Sequence, residues 1–331
     1  MNTETASTIE HRPESTVEPD GATPNGVAAV ETPKQYFATI APGPDRCLPL
    51  DFVNAVSALE GTLNMPVWLL VLRPGLQELM IEGKVVESFL QAKASIPVES
   101  RVALLIDSPG GQARAAYRIA DLFRRRCGGF TAVVPRYAKS AATLVCLGAD
   151  NIILGSDAEL GPLDVQIFDA DYEGIRSGLD EVQSLDRLHS SALQAVDQCV
   201  LAWTVRSGKK LDTLLPLACS FVASMMRPLF EKIDTVNYTQ RSRLLREAEE
   251  YAIRLLQPQY RQDEAEEIAR ALVEQYPDHS FVIDEREACE IGLRITSPTA
   301  EQDQIFDLMR PHLRRLTAVG RIEEVANETQ P

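Results

Sequence analysis

Twice between Arg101 and Gly148 a short apolar run ends in a tight turn and is followed at once by a helix-length segment with an apolar face. The first unit is a strand over Arg101 to Ile106, the turn Asp107-Ser108-Pro109-Gly110-Gly111, and an amphipathic helix with Ala116, Ile119, Leu122 and Phe123 on one side. The second is a strand over Thr131 to Pro135, a turn of small and polar residues over Tyr137 to Ser140, and a helix over Ala141 to Gly148. Upstream, Val67 to Leu72 is a further strand, and Val85, Val86, Phe89 and Leu90 mark a helix before Val102. Alternation at this density requires an α/β fold with a mainly parallel sheet, since parallel strands need helical crossovers. The pattern alone does not separate one such fold from another.

The two turns carry the chemistry. Ser140 stands where strand becomes helix, so its hydroxyl is held out of the sheet and the N–H of Ala141 lies at a helix N-terminus that favours a developing oxyanion. A serine that merely caps its helix would give the same local pattern. The upstream turn adds a second feature: Gly110 and Gly111 let the backbone approach a ligand closely and keep their N–H groups available, whereas Pro109 has none. One donor from each turn makes a two-turn oxyanion hole, drawn from Gly110, Gly111 and Ala141.

Three segments, Ile106-Asp107-Ser108-Pro109-Gly110-Gly111, Tyr137-Ala138-Lys139-Ser140-Ala141-Ala142-Thr143-Leu144 and Leu160-Gly161-Pro162-Leu163-Asp164-Val165-Gln166-Ile167, resemble the Clp-fold serine proteinases of the serine dehydrogenase proteinase family. More distantly they are similar to the Clp-type proteases and the signal-peptide peptidase A group within the crotonase-like superfold. The resemblance covers roughly Val67 to Ile295 and is strongest from Val102 to Ile167. It implies a spiral α/β core, a peptidase activity and Ser140 as nucleophile. Ala142 stands where relatives often have glycine, which adds a methyl group where a helix packs closely.

The base is less directly written. Of the four histidines, His11 lies in a polar tail, His312 near the C-terminus and His189 among polar helix residues, which leaves His279 as the best-situated candidate. Asp157, Glu159 and Asp164 surround Gly161-Pro162, and one of them could face the serine. The resemblance implies that histidine and aspartate have exchanged positions relative to the Clp-type proteases, so that Ser140, Asp164 and His279 follow the order nucleophile, acid, base. The peptidase A group implies a lysine instead, for which Lys139 is the alternative; side chains of adjacent residues diverge at such a turn.

The rest of the 331 residues sets limits. With 48 acidic against 33 basic side chains, the net charge of -15 argues against nucleic acid or an anionic membrane as the main partner. The six cysteines have no metal-ligand or CxxC spacing and several fall on apolar faces, which predicts reduced core cysteines in a cytoplasmic protein; no metal and no cofactor are expected. Ser207-Gly208-Lys209-Lys210 lacks the glycine and hydroxyl spacing of a phosphate-binding loop, so any ATP-dependent unfoldase would be a separate partner. No apolar run is read as long enough to cross a membrane, and Arg124-Arg125-Arg126 reads as a solvated helix end.

The expected organisation is a disordered acidic tail over 1–35, an α/β core over 36–167, a helical insertion over 168–276, a closing segment over 277–297, and a short helix with a disordered tail over 298–331. In the insertion, Leu193, Val196, Val200 and Trp203 form one stripe and Leu244, Ala248, Tyr251 and Leu255 another. The resemblance puts the insertion where Clp-type subunits carry the helical handle through which they associate. The expected protein is a homo-oligomeric serine peptidase acting on protein or peptide. The alternatives are a non-catalytic assembly or binding module, and an acyl-CoA-binding enzyme of the same superfold.

Overall fold

The computed structural model describes residues 35–40, 47–73, 80–163, 166–169 and 174–325. In chain order the elements are β1 (Gln35–Ile40), α1 (Leu50–Leu63), β2 (Val67–Val71), α2 (Gly83–Gln91), β3 (Val102–Asp107), α3 (Ala113–Cys127), β4 (Phe130–Val134), β5 (Tyr137–Ala138), α4 (Ala141–Leu147), β6 (Asn151–Leu154) and β7 (Glu159–Leu160). There follow β8 (Gln166–Asp169), β9 (Gly174–Ser177), α5 (Gly178–Ser207), α6 (Leu211–Phe230), α7 (Thr235–Leu256), α8 (Gln262–Glu274), α9 (Glu285–Glu290), β10 (Ile295–Thr296), α10 (Ala300–Leu313) and β11 (Ala318–Val325).

The main sheet has the order β1-β11-β2-β3-β4-β6-β10. From β2 to β10 every neighbouring pair is parallel, and β11 and β1 close one edge antiparallel. Strands β2 and β3 are buried at every position because both faces of the sheet are covered. Alternate residues feed two cores. Trp68, Leu70, Leu104, Ile106, Ala132, Val134 and Ile152 join α2, α3, α4, α7 and α8, while Val67, Leu69, Val71, Ala103, Leu105, Val133 and Ile153 join α1 and α10. The fold is thus α/β with a mostly parallel central sheet, as the alternating pattern requires.

On the first face, Phe123 of α3 stands edge-on to Trp68 at 5.8 Å and to Phe89 at 5.3 Å, with Phe130 at 5.9 Å. These rings fasten α2 and α3 to the sheet, and truncating one to alanine would cost about 3–5 kcal/mol. Helix α3 ends at Gly128 in the left-handed conformation, φ 66°, which turns the chain directly into β4.

Several expectations are corrected. Residues 318–325 are a strand of the main sheet rather than a tail, because Ala318 and Val319 have apolar cores to fill on either side of β2. Tyr137 and Ala138 form a short strand with Glu159 and Leu160 rather than a simple turn. A β8–β9 hairpin precedes the helices of 168–276, and α7 and α8 pack into the main core. Of the three arginines, Arg124 donates to Leu255 O and Arg126 to Ile96 O, so their heads satisfy helix-end and loop carbonyls; Arg125 pairs with Asp121. Cys127 and Cys146 are buried, but Cys47, Cys219 and Cys289 are exposed.

Helix α6 overturns the reading that no run has membrane length: its 20 residues are long and apolar enough to cross a membrane, and only 22% of its apolar window is buried. A lone crossing here conflicts with the sheet. Strands β2, β3, β4 and β6 precede α6 and β10 and β11 follow it, yet all pair in one sheet, which a chain divided across a bilayer could not form.

Candidate active site

The glycine turn and the serine turn leave the C-terminal ends of the adjacent parallel strands β3 and β4, the usual position of a site in such a sheet. Main-chain bonds stitch them together: Ser108 N–H donates to Tyr137 O at 3.2 Å and Lys139 N–H to Ser108 O at 3.1 Å. Ser140 has φ 52° and ψ −119°, a backbone conformation that costs a non-glycine residue of order 1–3 kcal/mol. It occupies the N-cap position of α4 without making a side-chain cap bond, so the capping explanation of this serine fails. Its side chain is half-buried, and its hydroxyl makes no hydrogen bond among the described residues.

The glycines divide the work. Gly110, at φ 110°, donates its N–H to Ser108 Oγ at 3.2 Å, and a Cβ there would stand 2.9 Å from Ser140 Cβ and 2.6 Å from Lys139 O. Its contribution is therefore close approach to the serine turn. Gly111, at φ 151°, lies against Ile81, where a Cβ would meet Ile81 O at 2.3 Å. Ile81 braces this turn from both sides, donating to Gly110 O at 2.8 Å and accepting from Gln112 N–H at 2.7 Å. Among the described residues the N–H groups of Gly111 and Ala141 have no partner. Ala142 is fully buried in α4.

Buried side chains fix this arrangement from beneath. Thr143 Oγ1 lies 2.7 Å from Ala138 O and 2.9 Å from Gly161 O and accepts the Gly161 N–H at 3.1 Å, joining α4 to both short strands. Asp107 at the end of β3 receives Nε and Nη2 of Arg136 at 2.9 and 2.5 Å, and the guanidinium also lies 4.3 Å from the Tyr137 ring centre. Burial pushes the Asp107 carboxyl up despite the opposing pull of Arg136. Burial likewise pushes the Tyr137 hydroxyl up to about 12.

Lys139 points away from a proton-transfer role. Its Nζ donates to Leu160 O at 3.1 Å and Phe281 O at 3.0 Å and pairs with Glu159 at 3.0 Å. Gly161 lets the lysine stem pass, since a Cβ there would meet Lys139 Cδ at 2.5 Å. The lysine thereby ties the serine turn to the segment carrying His279. That segment is also held by the reciprocal Leu160–Ile283 pair and by Asp278, which caps Ser280 and has its carboxyl lowered by the Ser280 hydroxyl. His279 is half-buried in this turn. Asp164 lies outside the described residues.

Sequence reasoning missed Asp107, Arg136, Ser108 and Thr143 as parts of the site. The available signal was a lone carboxylate closing the apolar β3 run directly before a glycine turn. No group of three or more metal-ligating side chains occurs among the described residues.

Comparison with known proteins gives partial matches. Residues 76–194 match the family described as ClpP-like SDH-type serine proteinases. The chain is 26% identical over 239 residues to the uncharacterized protein MJ0137 of Methanocaldococcus jannaschii, covering 72% of this chain and 67% of that one. It is 25% identical over 211 residues to MJ1495 of the same organism, covering 64% of this chain and 57% of the relative. A solved structure of a ClpP1 point mutant from Listeria monocytogenes aligns with 74% of this chain and 99% of its own at 12% identity, with a TM-score of 0.32. The matched segment 76–194 holds both turns and Ser140, and over that segment the chain is similar to the ClpP-like SDH-type serine proteinases.

Proposed function

We propose that this chain is a serine peptidase that cleaves protein or peptide through an acyl-enzyme at Ser140. The observation that carries the reading is the elbow itself: a strained, uncapped, half-buried serine beside two N–H donors without partners among the described residues. In the first step Ser140 Oγ attacks the peptide carbonyl, its proton passes to His279, and the oxyanion is held by the N–H groups of Gly111 and Ala141. Collapse breaks the C–N bond, and the leaving amine takes the proton from His279. Water, deprotonated by the same histidine, then releases the acyl group and restores Ser140. Asp164 is assigned to orient the imidazole. Lys139 is assigned to hold the His279 turn against the serine turn, consistent with its bonds to Leu160, Phe281 and Glu159. The active form is proposed to be a homo-oligomer.

Labelling by a fluorescent fluorophosphonate tests this. Wild type should label and Ser140→Ala should not, while His279→Ala should slow labelling by about 10²–10⁴-fold. Labelling abolished by Lys139→Ala but unchanged in His279→Ala would move the base to the lysine. The Ser140 hydroxyl, unbonded among the described residues, favours one second reading, a binding module on the same fold. A wild type that never labels, yet is thermally stabilised by peptides, would establish that instead, whereas stabilisation by CoA thioesters would favour the acyl-CoA enzyme.

A further inference from the structure

Asp107 and Arg136 form an ion pair that the proposed reaction does not use, with side-chain exposures of 0% and 16%. Burying two charges is costly, and apolar side chains of similar volume would fill the space as well or better. What apolar side chains cannot supply is direction. The guanidinium meets both carboxylate oxygens, a fork that fixes distance and orientation together.

The position of the pair gives that direction a use. Asp107 is the last residue of β3 and immediately precedes the glycine turn, whereas Arg136 lies between β4 and β5 and leads into the serine turn. The main-chain bonds through Ser108, Tyr137 and Lys139 hold the middle of this two-turn assembly, and Gly110 packs against Ser140 at its far end. The near end is held by Asp107 and Arg136. Arg136 is itself secured by the Tyr137 ring and by Leu313 O, 3.4 Å from Nη2.

We propose that the Asp107–Arg136 pair sets the separation of the Gly111 and Ala141 N–H donors, and so acts as a positioning device for the oxyanion hole. This rests on the peptidase reading above. Donors of an oxyanion hole must be about 2.7–3.1 Å from an oxygen that exists only in the transition state, so a small drift of one turn loses rate before it loses binding.

The test uses the full chain, a fluorophosphonate probe and a small peptide ester, with melting temperature measured beside both. Arg136→Lys keeps the cation but loses the fork; its labelling rate and kcat should fall at least about 10-fold with KM within about 2-fold of wild type. The double variant Asp107→Leu, Arg136→Met removes the charges without leaving one unpaired; it should melt near the wild-type temperature and still label at least about 10-fold more slowly. Wild-type labelling per folded molecule in either variant would overturn the positioning role and leave the peptidase reading standing. A wild type that does not label overturns both.

Discussion

At Gly110 function and backbone geometry meet in one residue. Its φ of 110° is unfavourable to any side chain, and a Cβ would press on Lys139 O and Ser140 Cβ. Gly110→Ala should therefore cost about 1–3 kcal/mol of stability and displace Ser140, with labelling falling more steeply than the folded fraction. A melt and a labelling rate on one preparation check this; labelling that only tracks the folded fraction would reduce Gly110 to a structural turn. Asp107 gives a pH signature. It is faced by Arg136, Tyr137 and Arg310, and burial holds its folded-state value above the unfolded one. The stability linked to such a raised carboxyl is full below the unfolded value and lost as pH rises through the folded value. Acidification through the interval just above the ordinary carboxylate value of about 4 should thus weaken the grip on Arg136 and slow labelling without a matching loss of stability from this group. Rate and melting temperature followed together against pH, beside Asp107→Asn lacking the acid limb, test the sign. An acid limb unchanged in Asp107→Asn would assign it elsewhere.

At the scale of an element, α6 poses the sharpest physical question. Leu214, Ala218, Val222 and Met226 are buried, while Leu217, Phe221, Met225 and Leu229 form a second stripe at four-residue spacing with exposures of 56, 52, 49 and 44%. That stripe runs about 18 Å along the helix. A helix apolar on so much of its circumference is stable in water only when covered, and the sheet topology argues against a lone membrane crossing. Association of copies through this stripe is the arrangement consistent with the proposed homo-oligomer. The variant Leu217→Asp, Phe221→Asp should lower the mass in sedimentation while leaving the melting temperature of the subunit within a few degrees. An unchanged mass would remove α6 from any subunit interface. In helix α5 the stripe residue Leu193 is 58% exposed in the single chain, while α7 buries Leu245, Ala248, Ala252 and Leu255 and leaves Leu244 39% exposed. Periodicity identifies apolar helices, but what covers each stripe is decided by partners distant in sequence.

Over the whole molecule, the parts legible in sequence were those whose signal is local. Strands β2, β3 and β4 are near-continuous apolar runs because both faces of the sheet are covered, and the two turns announce themselves through Gly110, Gly111 and Ser140. The Asp107–Arg136 pair joins residues 29 apart and carries no local mark. Strand β11 was missed because Gly320, Arg321, Glu323 and Glu324 interrupt its apolar pattern, as one expects of a strand near the sheet margin. Yet Ala318, Val319 and Gly320 pair with Val71, Leu70 and Leu69, so β11 covers the edge of the strand from which the chain proceeds toward Ile81 and the glycine turn. Ending the chain at Thr317 would remove β11 with its ladder to β2, deprive β1 of its partner, and leave the apolar, fully buried β2 as an open edge. Losing three ladder residues and the Ala318 and Val319 burial should cost about 3–5 kcal/mol, a fall of roughly 10 °C in melting temperature. The exposed edge should also make the truncated chain aggregate on heating. Circular dichroism melts with light scattering measure both effects. A truncated chain that melts like wild type would mean that β2 is held by β3 and the two cores alone, and that the antiparallel margin is an addition to the fold. A chain that melts early but labels normally when cold would separate the stability of this edge from the geometry of the site.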